Sequence, residues 1–265
     1  MTPFLFFERD ILNALRDIAG VSTLSTQPFL VNFEHVSACF GTHLSLLTMD
    51  SADLEKVPAE INRQVSFDPN YPRYIHLDLA LNGDSAGMVM GHVPRFVRVE
   101  RGGGAHETLP VVHIDFALEI FPPKGGEIIF AKIRELIYEL SRIGVPVRWV
   151  GFDGFQSADS IQVLRQKGFT TGLISVDRSG VPYEITKSAL YDGRVRIPEH
   201  QKLKRELQML ERDAKTGKVD HPVRGSKDVA DALAGVVYGL TRRREIWVGH
   251  GISMNEFPRA LASLL

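Results

Sequence analysis

Two aspartates occupy strand positions where a charged side chain is unusual. Asp78 lies between Leu77 and Leu79 in the middle of a predicted strand, and Asp153 directly follows the apolar run from Val147 to Phe152. A carboxylate within a sheet is costly unless it is paired or binds a cation. In open α/β sheets, binding and catalytic groups gather at the carboxyl ends of strands. Asp78 and Asp153 are therefore candidate catalytic residues; the alternatives are a solvated sheet face for Asp78 and a turn aspartate for Asp153.

A second pair of carboxylates lies near the start of a predicted helix. Asp228 and Asp231 are three residues apart, so their side chains share one helix face. The residues that follow, from Ala232 to Gly235, are small or apolar and suit close packing on a sheet. If Ser226 caps the helix, the helix dipole alone explains Asp228 well and Asp231 less well.

Together these carboxylates predict a divalent-metal site. Carboxylates from two strands and one helix are the arrangement that two-metal phosphodiester hydrolysis requires, with two Mg²⁺ or Mn²⁺ ions about 4 Å apart. We favour Asp228 over Asp231 as the main helix ligand and keep both as catalytic and metal-binding candidates. Asp84, in the turn after the Asp78 strand, is a weaker metal candidate, and an ordinary turn aspartate is the alternative.

The elements that must position these residues form an α/β pattern. Hydrophobic periodicity predicts three meandering strands and a helix, and then alternating strands and helices. This order predicts a mixed central β-sheet flanked by helices. The predicted strands cover residues 74–80, 87–99, 111–121, 147–152 and 171–176, and the predicted helices cover 7–19, 127–143, 158–167, 183–191, 199–215 and 226–242.

Composition excludes several classes of protein. Of 265 residues, 44% are hydrophobic and 24% are charged, which is ordinary for a globular chain and not for a disordered one. The formal net charge of −1 means that any nucleic-acid binding must use local basic patches. The single cysteine, Cys39, excludes a disulfide scaffold. No apolar run approaches the roughly 20 residues that span a bilayer, so no membrane partner is expected.

Most of the chain resembles a known family. The stretches His76-Leu-Asp-Leu-Ala80, Gly151-Phe-Asp-Gly-Phe-Gln-Ser157, Lys218-Val-Asp-His-Pro222 and Gly225-Ser-Lys-Asp-Val-Ala-Asp-Ala-Leu-Ala-Gly235 resemble the nuclease domain of the large terminase subunit of tailed bacteriophages, which has an RNase H-like fold. The resemblance implies an N-terminal extension or linker over residues 1–70, following an ATPase domain, a nuclease domain over 71–245 and a C-terminal tail over 246–265. No phosphate-loop motif G-x-x-x-x-G-K-[ST] is present, so we expect the nuclease part alone, as an excised fragment or a split gene product, without translocation activity.

The resemblance also implies a function and partners. It implies a metal-dependent endonuclease that cuts concatemeric viral DNA during genome packaging in the cytoplasm of the infected host. Double-stranded DNA, the ATPase domain, the small terminase subunit and the portal protein are the expected partners. Two alternatives remain open: a Holliday-junction resolvase or transposase-like nuclease, and a DNA-binding motor-docking module that is inactive in isolation.

Local basic clusters are the candidate DNA-binding residues. In a chain of net charge −1 such clusters are the best sites for phosphate contacts, although a solvated helix face is the alternative. His221 is a further candidate for assisting water or contacting phosphate; a surface histidine is the alternative. On the third strand, Asp115 and Glu119 are expected on a solvated sheet face. The basic candidates are Arg194, Arg196, Lys202, Lys204 and Arg205, and then Arg242 to Arg244.

Overall fold

The computed structural model describes residues 28–55, 59–79, 85–154, 157–213, 216–222, 225–253 and 256–257. The predicted helix over 7–19, the candidate metal ligand Asp84 and half of the predicted C-terminal tail therefore lie outside the described residues. Among the helices described, none combines the length and apolar character needed to cross a bilayer.

A seven-stranded mixed sheet forms the centre of the protein, which confirms the predicted fold class. The strands run in the order β1-β4-β3-β2-β5-β6, and β7 also pairs with β4. The pairs β2–β3 and β3–β4 are antiparallel, whereas β2–β5 and β5–β6 are parallel. The strands are β1 (Ser51–Ala52), β2 (Arg73–Asp78), β3 (Ala86–Glu100), β4 (His106–Ile120), β5 (Val147–Asp153), β6 (Thr170–Leu173) and β7 (Val195–Arg196).

Helices cover both faces of this sheet. On one face, α4, α5 and α6 bury their apolar side chains in one cluster, and on the other face α2 and α3 bury theirs in a second cluster. Short helices α1 and α7 lie near the two ends of the described chain. The helices are α1 (Phe33–Ser37), α2 (Phe130–Arg142), α3 (Ala158–Gln166), α4 (Val181–Tyr191), α5 (Gln201–Met209), α6 (Asp228–Arg242) and α7 (Arg244–Gly249).

Helix α6 packs unusually closely on β2. A Cβ atom on Gly235 would lie 2.1 Å from Cδ2 of His76, and one on Gly239 would lie 2.6 Å from Cε1 of Tyr74. Only glycine permits this approach. Residues four apart lie on one helix face, and alternate residues lie on one strand face. Gly239 and Gly235 lie opposite Tyr74 and His76. Continuing four residues earlier in α6 and two residues later in β2 places Asp231 opposite Asp78.

One predicted helix is shorter than expected. The predicted helix over 199–215 ends at Met209, and the chain then forms a separate two-stranded hairpin of β8 (Glu211–Arg212) and β9 (Val219–Asp220). Asp213 accepts hydrogen bonds from the backbone N–H and the hydroxyl of Thr216, and Gly217 adopts a positive φ of 71°. These local side-chain bonds compete with helix continuation.

Residues N-terminal to β2 also pack against the sheet. Phe29 and Leu30 join the cluster on the α6 side, and Leu46 and Leu47 join the cluster on the α2 side. Strand β1 pairs with the end of β4. The division of the chain into domains at residues 70 and 245 stays a prediction.

Candidate active site

Two of the predicted carboxylates lie side by side at the carboxyl ends of two neighbouring strands. Asp78 is the last residue of β2, Asp153 is the last residue of β5, and the two are register partners in a parallel pair. Neighbouring strands are about 4.8 Å apart, and directly paired residues face the same side. The two side chains therefore leave the sheet together at the carboxyl ends of both strands, as predicted for Asp153, whereas Asp78 was expected inside its strand.

The start of α6 brings the other two carboxylates to the same place. A Cβ atom on Gly87, the β3 partner of Asp78, would lie 2.0 Å from the backbone O of Asp228. Glycine at this position lets the N-terminal turn of α6 rest on the strand. Burial, followed by the negative charges of Asp231, Asp228 and Asp153 in that order, raises the pKa of Asp78 to about 8. The structure thus brings all four predicted aspartates together.

Asp231 is the most enclosed of the four. It is 3% exposed, and its carboxylate accepts hydrogen bonds from the Tyr183 hydroxyl and from Nζ of Lys227. Burial raises the pKa of Asp231 to about 6, against the opposing effects of Lys227 and Tyr183. Burial also lowers the pKa of Lys227, but the charges of Asp231 and Asp177 outweigh it, so the pKa lies above its ordinary value. Lys227 is consequently a permanent positive charge beside the aspartates.

Asp228 and Asp153 are less enclosed. Asp228 is half-buried, and the Ser85 hydroxyl donates a hydrogen bond of 2.6 Å to its Oδ2. Asp153 is also half-buried, and the backbone N–H of Val176 donates a bond of 2.9 Å to its Oδ2. Each side chain is thus oriented by a neutral donor, whereas a cation binds Asp231 directly.

A fifth carboxylate lies on the same rung of the sheet. Glu119 pairs with Gly87 in β4, and Gly87 pairs with Asp78, so the Glu119 side chain leaves from the same face. It forms an ion pair with Nζ of Lys202, which also lies 3.7 Å from Glu206. The expected solvated face does not hold for Glu119, because Lys202 of α5 pairs with its carboxylate and the side chain is only 18% exposed. Counting the register of the β3–β4 hairpin would have found this residue.

Glu206 caps α6 from the neighbouring helix. Its carboxylate accepts bonds of 2.9 Å from the backbone N–H of Ala230 and from the Ser226 hydroxyl. Lys227, not Ser226, occupies the N-cap position, and its side chain makes no capping bond. Burial raises the pKa of Glu206 to about 7. No local sequence signal points to this cap, because it comes from a different helix.

Two of the basic DNA-binding candidates have other roles in the structure. Arg194 is 4% exposed and donates to Asp192 Oδ2 at 2.9 Å and to the Pro110 carbonyl at 3.0 Å. Arg194 does not fit the prediction of DNA binding, because its guanidinium forms hydrogen bonds inside the protein. Lys202 lies in the acidic site instead of on an open helix face, since it pairs with Glu119.

The remaining candidates lie nearer to solvent. Arg205 is exposed, Arg196 is half-buried, and Nζ of Lys204 lies 5.7 Å from the centre of the Phe40 ring. His221 is half-buried, and its Nδ1 donates to the Pro222 carbonyl at 2.7 Å. A role for any of these side chains in DNA contact stays a prediction.

The residues of this site fit a divalent cation. The negative charges of three neighbours raise the pKa of Asp78, and a bound cation would remove that repulsion. Carboxylate oxygens are the ligands that Mg²⁺ and Mn²⁺ prefer. Asp78, Asp153 and Asp228 are the residues that would hold the ion, and Asp231 lies directly behind them.

Comparison with solved structures shows the same fold in a nuclease. The chain is similar to the large terminase nuclease from thermophilic phage G20c, with a TM-score of 0.51 at 16% identity over 78% of this chain and 96% of that one. Structures of that nuclease with bound magnesium and with bound cobalt give TM-scores of 0.51 and 0.50, each at 15% identity and covering 80% of this chain and 96% of theirs. No protein-family model and no curated protein matches the chain. The fold predicted from the terminase resemblance is thereby confirmed.

Proposed function

We propose that this chain is a metal-dependent endonuclease that cuts double-stranded DNA during the packaging of a phage genome. The observation that carries the proposal is the convergence of Asp78, Asp153, Asp228 and Asp231 at one corner of a sheet with the terminase nuclease fold. Similar nuclease structures bind magnesium and cobalt, which supports a divalent cofactor here.

Each side chain in the site has a separate task. Asp78 and Asp153 form the fixed base of the site because backbone pairing holds them in register. Asp228 closes the site from α6, and Ser85 orients it. Two divalent ions bound there would supply activation of water and stabilisation of the leaving oxygen.

Two lysines supply positive charge beside these carboxylates. Lys227 bridges Asp231 and Asp177, at 2.8 Å from Asp177 Oδ1. Lys202 donates to the Ser85 hydroxyl at 3.3 Å, and Ser85 in turn donates to Asp228. A DNA phosphate that approaches the four aspartates is repelled by them, and the lysines offset part of that repulsion.

The proposed function also implies partners and a place of action. Packaging would require an ATPase domain, the small terminase subunit and the portal protein, all in the cytoplasm of the infected host. The nuclease site itself contacts only DNA and metal ions in this proposal. The partner surfaces are therefore expected away from the corner that Asp78 and Asp228 occupy.

Plasmid cleavage tests the proposal. The purified chain should nick and linearise supercoiled plasmid with Mn²⁺ or Mg²⁺ and should be inactive in EDTA. Asp228→Asn should nearly abolish cleavage, and Asp231→Asn should impair it less, because the buried Asp231 carboxylate is already bound by Lys227 and Tyr183. Asp159→Asn is the matched control, because Asp159 is exposed on α3 and pairs only with Arg134. Activity that survives Asp228→Asn, or a folded wild-type chain inactive with both metals, would contradict the proposal.

The same assay separates the two alternatives. Cleavage confined to four-way junctions, with linear duplex left intact, would indicate a junction resolvase. Metal-independent DNA binding without cleavage would indicate a docking module. The charge-neutral Asp78→Asn variant distinguishes these outcomes from nuclease contamination, because it should bind DNA and not cut it.

A further inference from the structure

A second group of metal-ligating side chains lies at the other end of the sheet. His92, His113 and Asp115 each offer a ligand atom, and these atoms lie within 4.8 Å of one another. Nδ1 of His92 is 3.1 Å from Asp115 Oδ1. The group contacts Arg73, the first residue of β2, whereas Asp78 is the last. Five residue steps along β2 separate the two ends by about 16 Å.

Irregularities in the β3–β4 pairing create this group. Ile114 pairs with Gly91 and Phe116 pairs with Met90, which leaves Asp115 as an extra residue in β4. A second irregularity lies between His92 and Arg95. A bulge re-aims side chains that regular alternation would send elsewhere.

The bulge also corrects a sequence expectation. Regular alternation predicts His113, Asp115, Ala117 and Glu119 on one solvated face. Instead, Asp115 is 8% exposed, and Ala117 packs in the cluster under α6 together with Ile114. The extra residue therefore separates the acid from Glu119 and turns it toward the histidines.

The imidazole of His113 has an unsatisfied ring nitrogen. Within the described residues, its buried Nδ1 has no hydrogen-bond partner. The ring of His43 packs on His113 with centroids 3.8 Å apart, and Nε2 of His43 donates to the Ile114 carbonyl at 2.7 Å. A buried ring nitrogen without a partner is costly unless something binds it.

Arg73 provides the competing explanation. Its Nε lies 3.6 Å from Asp115 Oδ2, an ion-pair distance too long for a hydrogen bond, and this Nε has no hydrogen-bond partner. The guanidinium instead binds the carbonyls of Asp68 and Tyr71. Arg73 therefore offsets the charge of Asp115 without forming a hydrogen bond to the carboxylate. It also provides no partner for the lone pair on Nδ1 of His113.

We propose that His92, His113 and Asp115 bind one late first-row divalent metal ion, with Zn²⁺ the best match, at a site separate from the four aspartates. Two imidazoles and one carboxylate suit Zn²⁺ and Co²⁺ and do not suit Mg²⁺. Bonds of about 2.1 Å would place the ligand atoms about 3.4 Å apart, so the site closes by about 1 Å through ring rotation. Bound metal would fasten the irregular part of β3 to β4.

Titration of the full chain with ZnCl₂ tests this site independently of nuclease activity. The Asp78→Asn substitution removes the main ligand of the other site. The metal-stripped variant should still bind one Zn²⁺, as measured by calorimetry. Adding His113→Gln to that background should weaken binding by about 100-fold or more. His106→Gln is the matched control, because His106 is exposed at the start of the same strand and should leave the affinity unchanged.

A second measurement leaves the three proposed ligands unchanged, so a misfolded variant cannot explain its result. X-ray absorption of the Zn²⁺-loaded Asp78→Asn chain should show two imidazole ligands. Co²⁺ in place of Zn²⁺ should give the intense visible bands of a four-coordinate ion. The proposal is overturned if Asp78→Asn binds no Zn²⁺, if no imidazole is seen, or if His113→Gln and His106→Gln bind equally. Any of these results would leave an ion pair between Arg73 and Asp115 as the whole role of the group.

Discussion

Replacing Asp78 by asparagine should stabilise the metal-free protein while removing its activity. Burial and three neighbouring carboxylates raise the pKa of Asp78 from 3.8 to about 8. At about pH 4 and below, the side chain is neutral when folded and at least partly neutral when unfolded, so the substitution should change little. As pH rises toward 8, the unfolded chain loses this proton and the folded chain keeps it. Wild-type stability must therefore fall across this interval.

The size of this effect follows from the same interval. Each pH unit between the two pKa values contributes about 1.4 kcal/mol, so the ceiling is about 6 kcal/mol above pH 8. Asparagine keeps the shape and carries no charge, so Asp78→Asn should recover part of that free energy. In a domain of this size each kcal/mol shifts the melting temperature by about 2–4 °C. We expect Asp78→Asn to melt several degrees above wild type at pH 9 in EDTA and equally at pH 4.

Divalent metal should reverse the order of the two proteins. A ligand at 100 times its Kd stabilises the folded state by about 2.7 kcal/mol. Saturating Mn²⁺ should thus raise the melting temperature of wild type and leave Asp78→Asn nearly unchanged. Asp159→Asn, whose carboxylate is exposed, should behave as wild type in both buffers. If Asp78→Asn melts below wild type at pH 9 in EDTA, Lys227 already neutralises the site and the reasoning is refuted.

Three further perturbations test the packing and the surface. Gly235→Ala should destabilise the protein by about 1–3 kcal/mol in urea unfolding and lower cleavage, because its Cβ would lie 2.1 Å from the His76 ring; an unchanged midpoint would mean that α6 does not rest on β2 as described. Arg205→Ala should reduce the slope of log affinity against log salt by about 0.9 if this side chain binds a DNA phosphate, and an unchanged slope would assign it to solvent. Burial raises the pKa of the Cys39 thiol to about 11, so iodoacetamide should label the native protein slowly at pH 8 and the urea-unfolded protein quickly; fast native labelling would show that this core opens locally.

Much of the fold could be read from periodicity. The stripe Ile133, Leu136, Ile137 and Leu140 predicts a helix, and all four side chains are buried against the sheet in α2. The apolar run ahead of Asp153 predicts a central strand, and β5 is paired on both sides. These elements are predictable because burial on one face is a local property of the sequence.

The surroundings of the aspartates could not be read in the same way. Tyr183 reaches Asp231 across 48 residues and Glu206 reaches Ala230 across 24, so neither contact leaves a local pattern. The bulge at Asp115 is also invisible to alternation, because one extra residue changes which face every later side chain occupies. The carboxylates themselves were predictable because charge in an apolar element is conspicuous, whereas a well-packed partner is not.

The close approach of α6 to β2 explains why the candidate active site is built as it is. Glycines at 87, 235 and 239 let the helix rest on the strands, and the same four-residue spacing places Asp231 opposite Asp78. A longer side chain at any of these glycines would lift the helix and separate the acids. The packing that positions the carboxylates therefore also forces their repulsion, which burial intensifies. Lys227 binds Asp231 directly and also lowers the pKa of Asp78, but burial and the charges of Asp231, Asp228 and Asp153 together outweigh that effect at Asp78. Such a cluster of carboxylates lowers the stability of the folded protein until a cation binds. Cation binding would then recover the free energy that the repulsion between the carboxylates costs on folding.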